Sequence, residues 1–193
     1  YHDPENARLS PDMGGGALLD VGCYGVNVAR WLFDAEPTHA QCRAVYHPSG
    51  VDVHVAAVLD FGRQRLAVVE ASFIAGLQQT YTVVGDDGAI ELPHDAFVPW
   101  DKDTVLTLRE RNAEDGAQTV IPGADEYQLM VEHFADAIRA STALDEAHAD
   151  SLANMRALDA LAAAAAQGAT VPVPHGPTGA AGGVAPRDPV GGA

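Results

Sequence analysis

The sequence predicts an α+β fold, a mostly antiparallel open sheet with helices packed on one face. Three observations carry this. An apolar stretch without breakers follows a run of three glycines near the start. A series of short alternating segments separated by turn residues fills the middle, and the last third returns to helical spacing. Helices grouped apart from a run of strands indicate α+β, whereas strict alternation would indicate a parallel sheet.

Taken in order, residues 1–13 are polar, contain Pro4 and Pro11, and read as an extended loop. Ala17 to Phe33 reads as a helix, closed by the boundary that Pro37 imposes after Asp34-Ala35-Glu36. It is apolar nearly all round, which predicts burial on most sides. His39 to His47 is the first strand. In Val51 to Phe61 the residues Val51, Val53, Val55, Ala57, Leu59 and Phe61 share one face. Gly62-Arg63-Gln64 is a turn, so Arg65 to Ile74 pairs with that strand as a hairpin. Leu77 to Val84 is a further strand, and Gly85-Asp86-Asp87-Gly88 turns it into Ala89 to Leu92. Thr104 to Arg109 and Ala117 to Ile121 complete the strands. Asp125, with Gln128 three residues on, forms a capping box for a helix whose Tyr127, Val131, Phe134 and Ile138 make one apolar face. A last helix runs from Ala147 to Gln167, with Gly168 as its cap. Residues 1–173 are read as one domain, and 174–193, rich in Gly, Pro and Ala, as a disordered tail.

Composition narrows the function classes. Eleven basic against 27 acidic residues give a net charge of −16, which argues against nucleic acid or an anionic membrane as partner. The two cysteines are too few for a disulfide framework, and no histidine pair has metal-ligand spacing, so no metal site is expected. No run of about 18 apolar residues is present to span a membrane. The chain starts with Tyr1 and leads straight into the glycine motif, so it is read as a fragment. Cytoplasmic location is the expectation, signals at a preceding N-terminus being outside view.

The chemistry concentrates in Gly14-Gly15-Gly16-Ala17-Leu18-Leu19-Asp20-Val21-Gly22-Cys23-Tyr24, with Asn27 following. Residues three and four apart share a helix face, so Asp20, Tyr24 and Asn27 form a polar strip. A buried carboxylate is costly unless it is paired or used. Gly22 and Gly25 each cost about 1 kcal/mol of helix stability relative to Ala, which points to the close approach of another backbone or a ligand. Spacing alone leaves two readings open, a structural Asp–Tyr hydrogen bond or a catalytic pair.

The same string resembles the signature of the C-terminal domain of the Gfo/Idh/MocA family of NAD(P)-dependent oxidoreductases, G-G-G-A-L-x-D-x-G-x-(H/Y), matched at Gly14 to Leu18, Asp20, Gly22 and Tyr24. Tyr at the last position is similar to the branch holding glucose-fructose oxidoreductase, xylose dehydrogenases and dihydrodiol dehydrogenase. Thr82 to Leu92 resembles a second recurring hairpin of the family. The resemblance implies a glyceraldehyde-3-phosphate dehydrogenase-like fold and a substrate-binding and dimerisation role for residues 1–173. It implies NADP or NAD as cofactor, bound mainly by an N-terminal domain absent here, and a small sugar, polyol or diol as substrate. Hydride leaving a carbinol carbon requires a base for the hydroxyl proton, and the resemblance assigns this to Tyr24. Asp20 then orients hydroxyls, Asn27 and Arg8 contact substrate, and Gly15 and Gly16 lie against the cofactor. A homo-oligomer joined through the free sheet face is also implied.

Two features of that family do not occur in the sequence. There is no E-K-P, the only lysine being Lys102, and Gly14-Gly15-Gly16 is not the dinucleotide fingerprint G-x-G-x-x-G. The fragment is therefore expected to be inactive alone. The alternative is a non-catalytic oligomerisation or ligand-binding domain.

Overall fold

The structure, a computed structural model, describes residues 5–98 and 101–176. The chain forms two compact units, one from Tyr1–Phe73 with Ala149–Ala193, the other from Ile74–His148. Every strand pairing in both is antiparallel.

The first unit opens with two short turns and a π-turn, Leu18–Gly22, that runs into α1 (Cys23–Phe33). Strands β1 (His39–Tyr46), β2 (Asp52–Asp60) and β3 (Leu66–Ser72) follow as a meander. Its sheet has the order β3-β2-β1-β8, where β8 is Val171–Pro172. The alternation read along Val51 to Phe61 is the buried face: all six residues belong to one core cluster. Ala40, Cys42, Val69 and Ala71 join it from the neighbouring strands, and Ala157, Leu158, Leu161 and Ala164 join it from α3 (Asp145–Gln167). Gly168, at φ +64°, donates its N–H to Ala164 O at 2.9 Å and ends α3 as expected of a left-handed cap. Strand β8 went unread in the sequence because two residues, one of them Pro, carry no periodicity.

The second unit holds β4 (Tyr81–Val84), β5 (Gly88–Leu92), β6 (Thr104–Glu110) and β7 (Ala117–Ile121) in sequential order. Helix α2 (Glu126–Ala140) starts at Asp125, whose Oδ1 accepts the Gln128 N–H at 2.9 Å. The class is the one expected, but the strands close into two four-stranded sheets where one open sheet was anticipated. The expected strand from Leu77 also begins later, at Tyr81. Gln79 is used otherwise: its carbonyl accepts from Ala96 N and its side-chain oxygen from Val98 N, so it anchors a loop.

Helix α1 departs from the all-round burial that its composition predicts. Leu18, Gly22, Val26, Ala29 and Arg30 are buried, whereas Leu19, Val21, Tyr24 and Leu32 are exposed and Trp31 is 72% exposed. One sheet and one helix can cover only part of a cylinder. Within the first unit, no element among the described residues covers the other side. The proposed tail falls mainly on residues 177–193, outside the described residues.

Candidate active site

The glycine turn is built by its own preceding loop. Asn6 accepts the Arg8 N–H through its side chain at 3.0 Å and starts a tight turn, Ala7–Leu9, pinned by buried Leu9. The loop then doubles back, with Gly15 N donating to Ser10 O at 2.9 Å and Gly16 N to Arg8 O at 3.0 Å. A Cβ on Gly15 would lie 2.5 Å from Arg8 O, and one on Gly16, at φ +121°, would collide with the Asp52 carboxylate. The room that glycine leaves at these two positions is therefore filled by Arg8, Ser10 and Asp52. Asp52, at the start of β2, was not singled out in the sequence; its Oδ2 accepts the Leu18 N–H at 2.7 Å and satisfies a donor at the head of the helix.

The doubled-back loop brings Arg8 to Asp20, although they are twelve residues apart. Arg8 Nε donates to Asp20 Oδ2 at 2.7 Å, with both side chains part-exposed. The carboxylate expected to be buried is thus half-buried and paired. Cys23 Sγ contacts Asp20 O at 3.7 Å, and its thiol is pushed up from its ordinary range by burial first, then by the Asp20 charge. Tyr24, the next residue, is 43% exposed and does not face the core.

Asn27 belongs to a different cluster. Its Nδ2 donates to Asp150 Oδ2 at 3.3 Å, and Asp150 Oδ1 lies 2.9 Å from Arg30 Nη2. Arg30, only 6% exposed, also grips Glu36 with two bonds of 2.8 Å and donates to Asn154 Oδ1 at 3.3 Å. Burial pulls its guanidinium pKa down, but Glu36 and Asp150 outweigh this and the net direction is up. Helical spacing could not show that Asn27 bonds Asp150, because that partner stands on a helix more than 120 residues away. Lys102 lies in the second unit, exposed.

Gly22 and Gly25 explain themselves on the sheet. A Cβ on Gly25 would stand 2.9 Å from Val69 Cγ1, and one on Gly22 would touch Leu18 and Ala71. The close approach inferred from the sequence is that of β3.

A family model described as the GFO/IDH/MocA C-terminal domain matches residues 1–91, the stretch holding the glycine turn, Arg8, Asp20 and Tyr24. The chain belongs to the Gfo/Idh/MocA family. Among its relatives, D-xylose 1-dehydrogenase (NADP(+)) 2 of Haloferax volcanii is 32% identical over 171 residues, 86% of this chain and 51% of that protein. Trans-1,2-dihydrobenzene-1,2-diol dehydrogenase of Xenopus tropicalis is 33% identical over 92 residues, 47% of this chain and 28% of that protein. A 3-ketoreductase from Actinomadura kijaniata, crystallised with NADP and TDP-benzene, superposes with a TM-score of 0.77 at 23% identity, covering 84% of this chain and 50% of that one. At that identity the superposition speaks for the fold. The Gfo/Idh/MocA chain described here spans about half the length of the xylose dehydrogenase and of the ketoreductase. Among the described residues no cluster of metal-ligating side chains occurs, and no helix is long and apolar enough to cross a membrane.

Proposed function

We propose that this chain is the substrate-binding half of an NAD(P)-dependent oxidoreductase acting on the CH–OH group of a sugar, polyol or cyclic diol. The observation that carries the reading is the gathering of Arg8 and Asp20 at the glycine turn with Tyr24 exposed one turn on. The xylose and dihydrodiol dehydrogenases among its relatives support the substrate class.

The glycine run is not the dinucleotide fingerprint G-x-G-x-x-G, so this reading places most of the cofactor contacts outside this chain. NADP or NAD, when held by residues outside this chain, supplies the hydride acceptor. The residues of this chain supply the rest. Tyr24 Oη takes the hydroxyl proton as the carbinol becomes a carbonyl, and returns it in the reverse direction. Asp20 accepts hydrogen bonds from substrate hydroxyls, and Arg8 fixes the orientation of that carboxylate. Asn27, turned to Asp150, supports the helix from behind. The free sheet face, with Leu66 and Val68 exposed, joins two copies.

The test uses Tyr24→Phe in the protein joined to its nucleotide-binding part. General acid–base groups contribute about 10²–10⁴-fold, so kcat should fall within that range while cofactor affinity and thermal stability stay level. Near-normal turnover would refute the assignment. The chain by itself, mixed with NADP⁺ and a panel of aldoses and dihydrodiols, should produce no reduced cofactor.

A further inference from the structure

The crossover from π-turn to α-helix falls one residue before Tyr24. A π-turn closes i to i+5 and the following helix i to i+4. Two side chains reach carbonyls at this crossover. Cys23 Sγ approaches Asp20 O, and Asn154 Nδ2, from α3, donates to Cys23 O at 3.3 Å. That carbonyl belongs to the same planar peptide unit as the Tyr24 N–H, so holding its oxygen holds the plane from which the Tyr24 side chain departs.

Asn154 is itself held. Its Oδ1 accepts from Arg30 Nη1 at 3.3 Å, and Arg30 is clamped by Glu36 and Asp150. Cys23, Asn27 and Arg30 stand at i, i+4 and i+7 on α1, facing Asp150 and Asn154 at i and i+4 on α3. From α3, Asn154 grips the peptide that joins Cys23 to Tyr24.

We propose that Asn154 is a positioning residue for Tyr24, acting through the Cys23 carbonyl to keep the π-to-α crossover in place. This rests on the reading of Tyr24 as the acid–base group. A crossover that slips by one residue turns the side chains after it by about 100°, one residue's share of a helical turn. Tyr24 would then leave the direction that the crossover now gives it.

Two variants separate this from a general stabilising role. Asn154→Asp keeps an oxygen for Arg30 but sets an acceptor against Cys23 O. Asp150→Asn removes an ion pair from Arg30 and leaves the Cys23 bond intact. In the 193-residue chain carrying ring-labelled tyrosine, the Tyr24 resonance is assigned by its loss in Tyr24→Phe. Both variants should lower the melting temperature. Only Asn154→Asp should move the Tyr24 ring resonance and its phenol titration midpoint, and speed amide exchange at Asn27. A Tyr24 resonance equally unmoved in both variants overturns the proposal. Should Asn154→Asp fail to fold, Asn154→Ala is read on the same resonance by the same rule. In the protein with its nucleotide-binding part, Asn154→Asp should lower kcat about 10–100-fold, the scale of a small misplacement, with KM for the cofactor unchanged. Unaltered kcat beside an inactive Tyr24→Phe sinks the positioning role alone. An active Tyr24→Phe sinks the functional reading, while the resonance still reports on Asn154.

Discussion

Cys42 shows how one buried group makes the fold sensitive to alkali. It lies in the core on β1, and burial first, then the nearby Asp52 charge, pushes its thiol up to about 11. An acid whose pKa is raised on folding keeps its proton in the native state after the unfolded chain has lost it. The unfolded state then binds fewer protons, so stability falls as pH rises from the ordinary thiol range toward about 11 and is unaffected below it. Urea midpoints should accordingly drop between pH 8 and pH 10, and Cys42→Ala should flatten that slope. A slope unchanged in Cys42→Ala would assign it to other groups. The folded chain should also leave Cys42 unreactive toward thiol reagents near neutrality, because the thiolate is the nucleophile. Arg30 is the opposite case, a buried charge kept ionised because two carboxylates compensate the desolvation it suffers.

At the scale of elements, the contact between α1 and β3 turns on Gly25. Alanine there would gain about 1 kcal/mol of helix propensity, yet its Cβ would stand 2.9 Å from Val69 Cγ1. Val69 is β-branched and buried, with little freedom to turn away. The collision should win, and Gly25→Ala should destabilise by about 1–3 kcal/mol, the range of overpacked cores. Adding Val69→Ala should recover part of the loss, giving a coupling energy in a double-mutant cycle. Additive effects would mean the helix does not sit on β3 as described. The spacing of Gly22 and Gly25 already suggested a close neighbour, whereas the neighbour's identity required the sheet. The π-turn had no such signal, because i to i+5 closure leaves the apolar pattern of an ordinary helix almost unchanged.

For the whole molecule, the first unit presents one sheet face to its helices and leaves the other open. Gln41, Arg43, Ala56, Val58 and Val68 line a shallow groove of about 400 Å³ on the open side, and Val68 is 79% exposed. An apolar sheet face of this kind is an association surface in waiting. If two copies meet there, Val68→Lys should shift the chain to monomer in light scattering and leave its melting temperature nearly constant. A dimer that survives the substitution would place the interface elsewhere.

Local information was enough for much of this protein. Alternation with period two placed β2 and its buried face, turn residues placed the hairpins, and Asp125 and Gly168 marked helix ends, because each signal lies within a few consecutive residues. The motif from Gly14 to Tyr24 likewise singled out the candidate site. Tertiary structure alone decided how those residues are used. Arg8 meets Asp20 only because the loop folds back on Gly15 and Gly16, and Asp52 reaches Leu18 across 34 residues. Asn27 turns to Asp150, and Asn154 takes the Cys23 carbonyl, across more than 120 residues. Helix spacing orders side chains around one axis, but which side meets solvent, sheet or a second helix depends on packing between distant segments, and no local pattern encodes that.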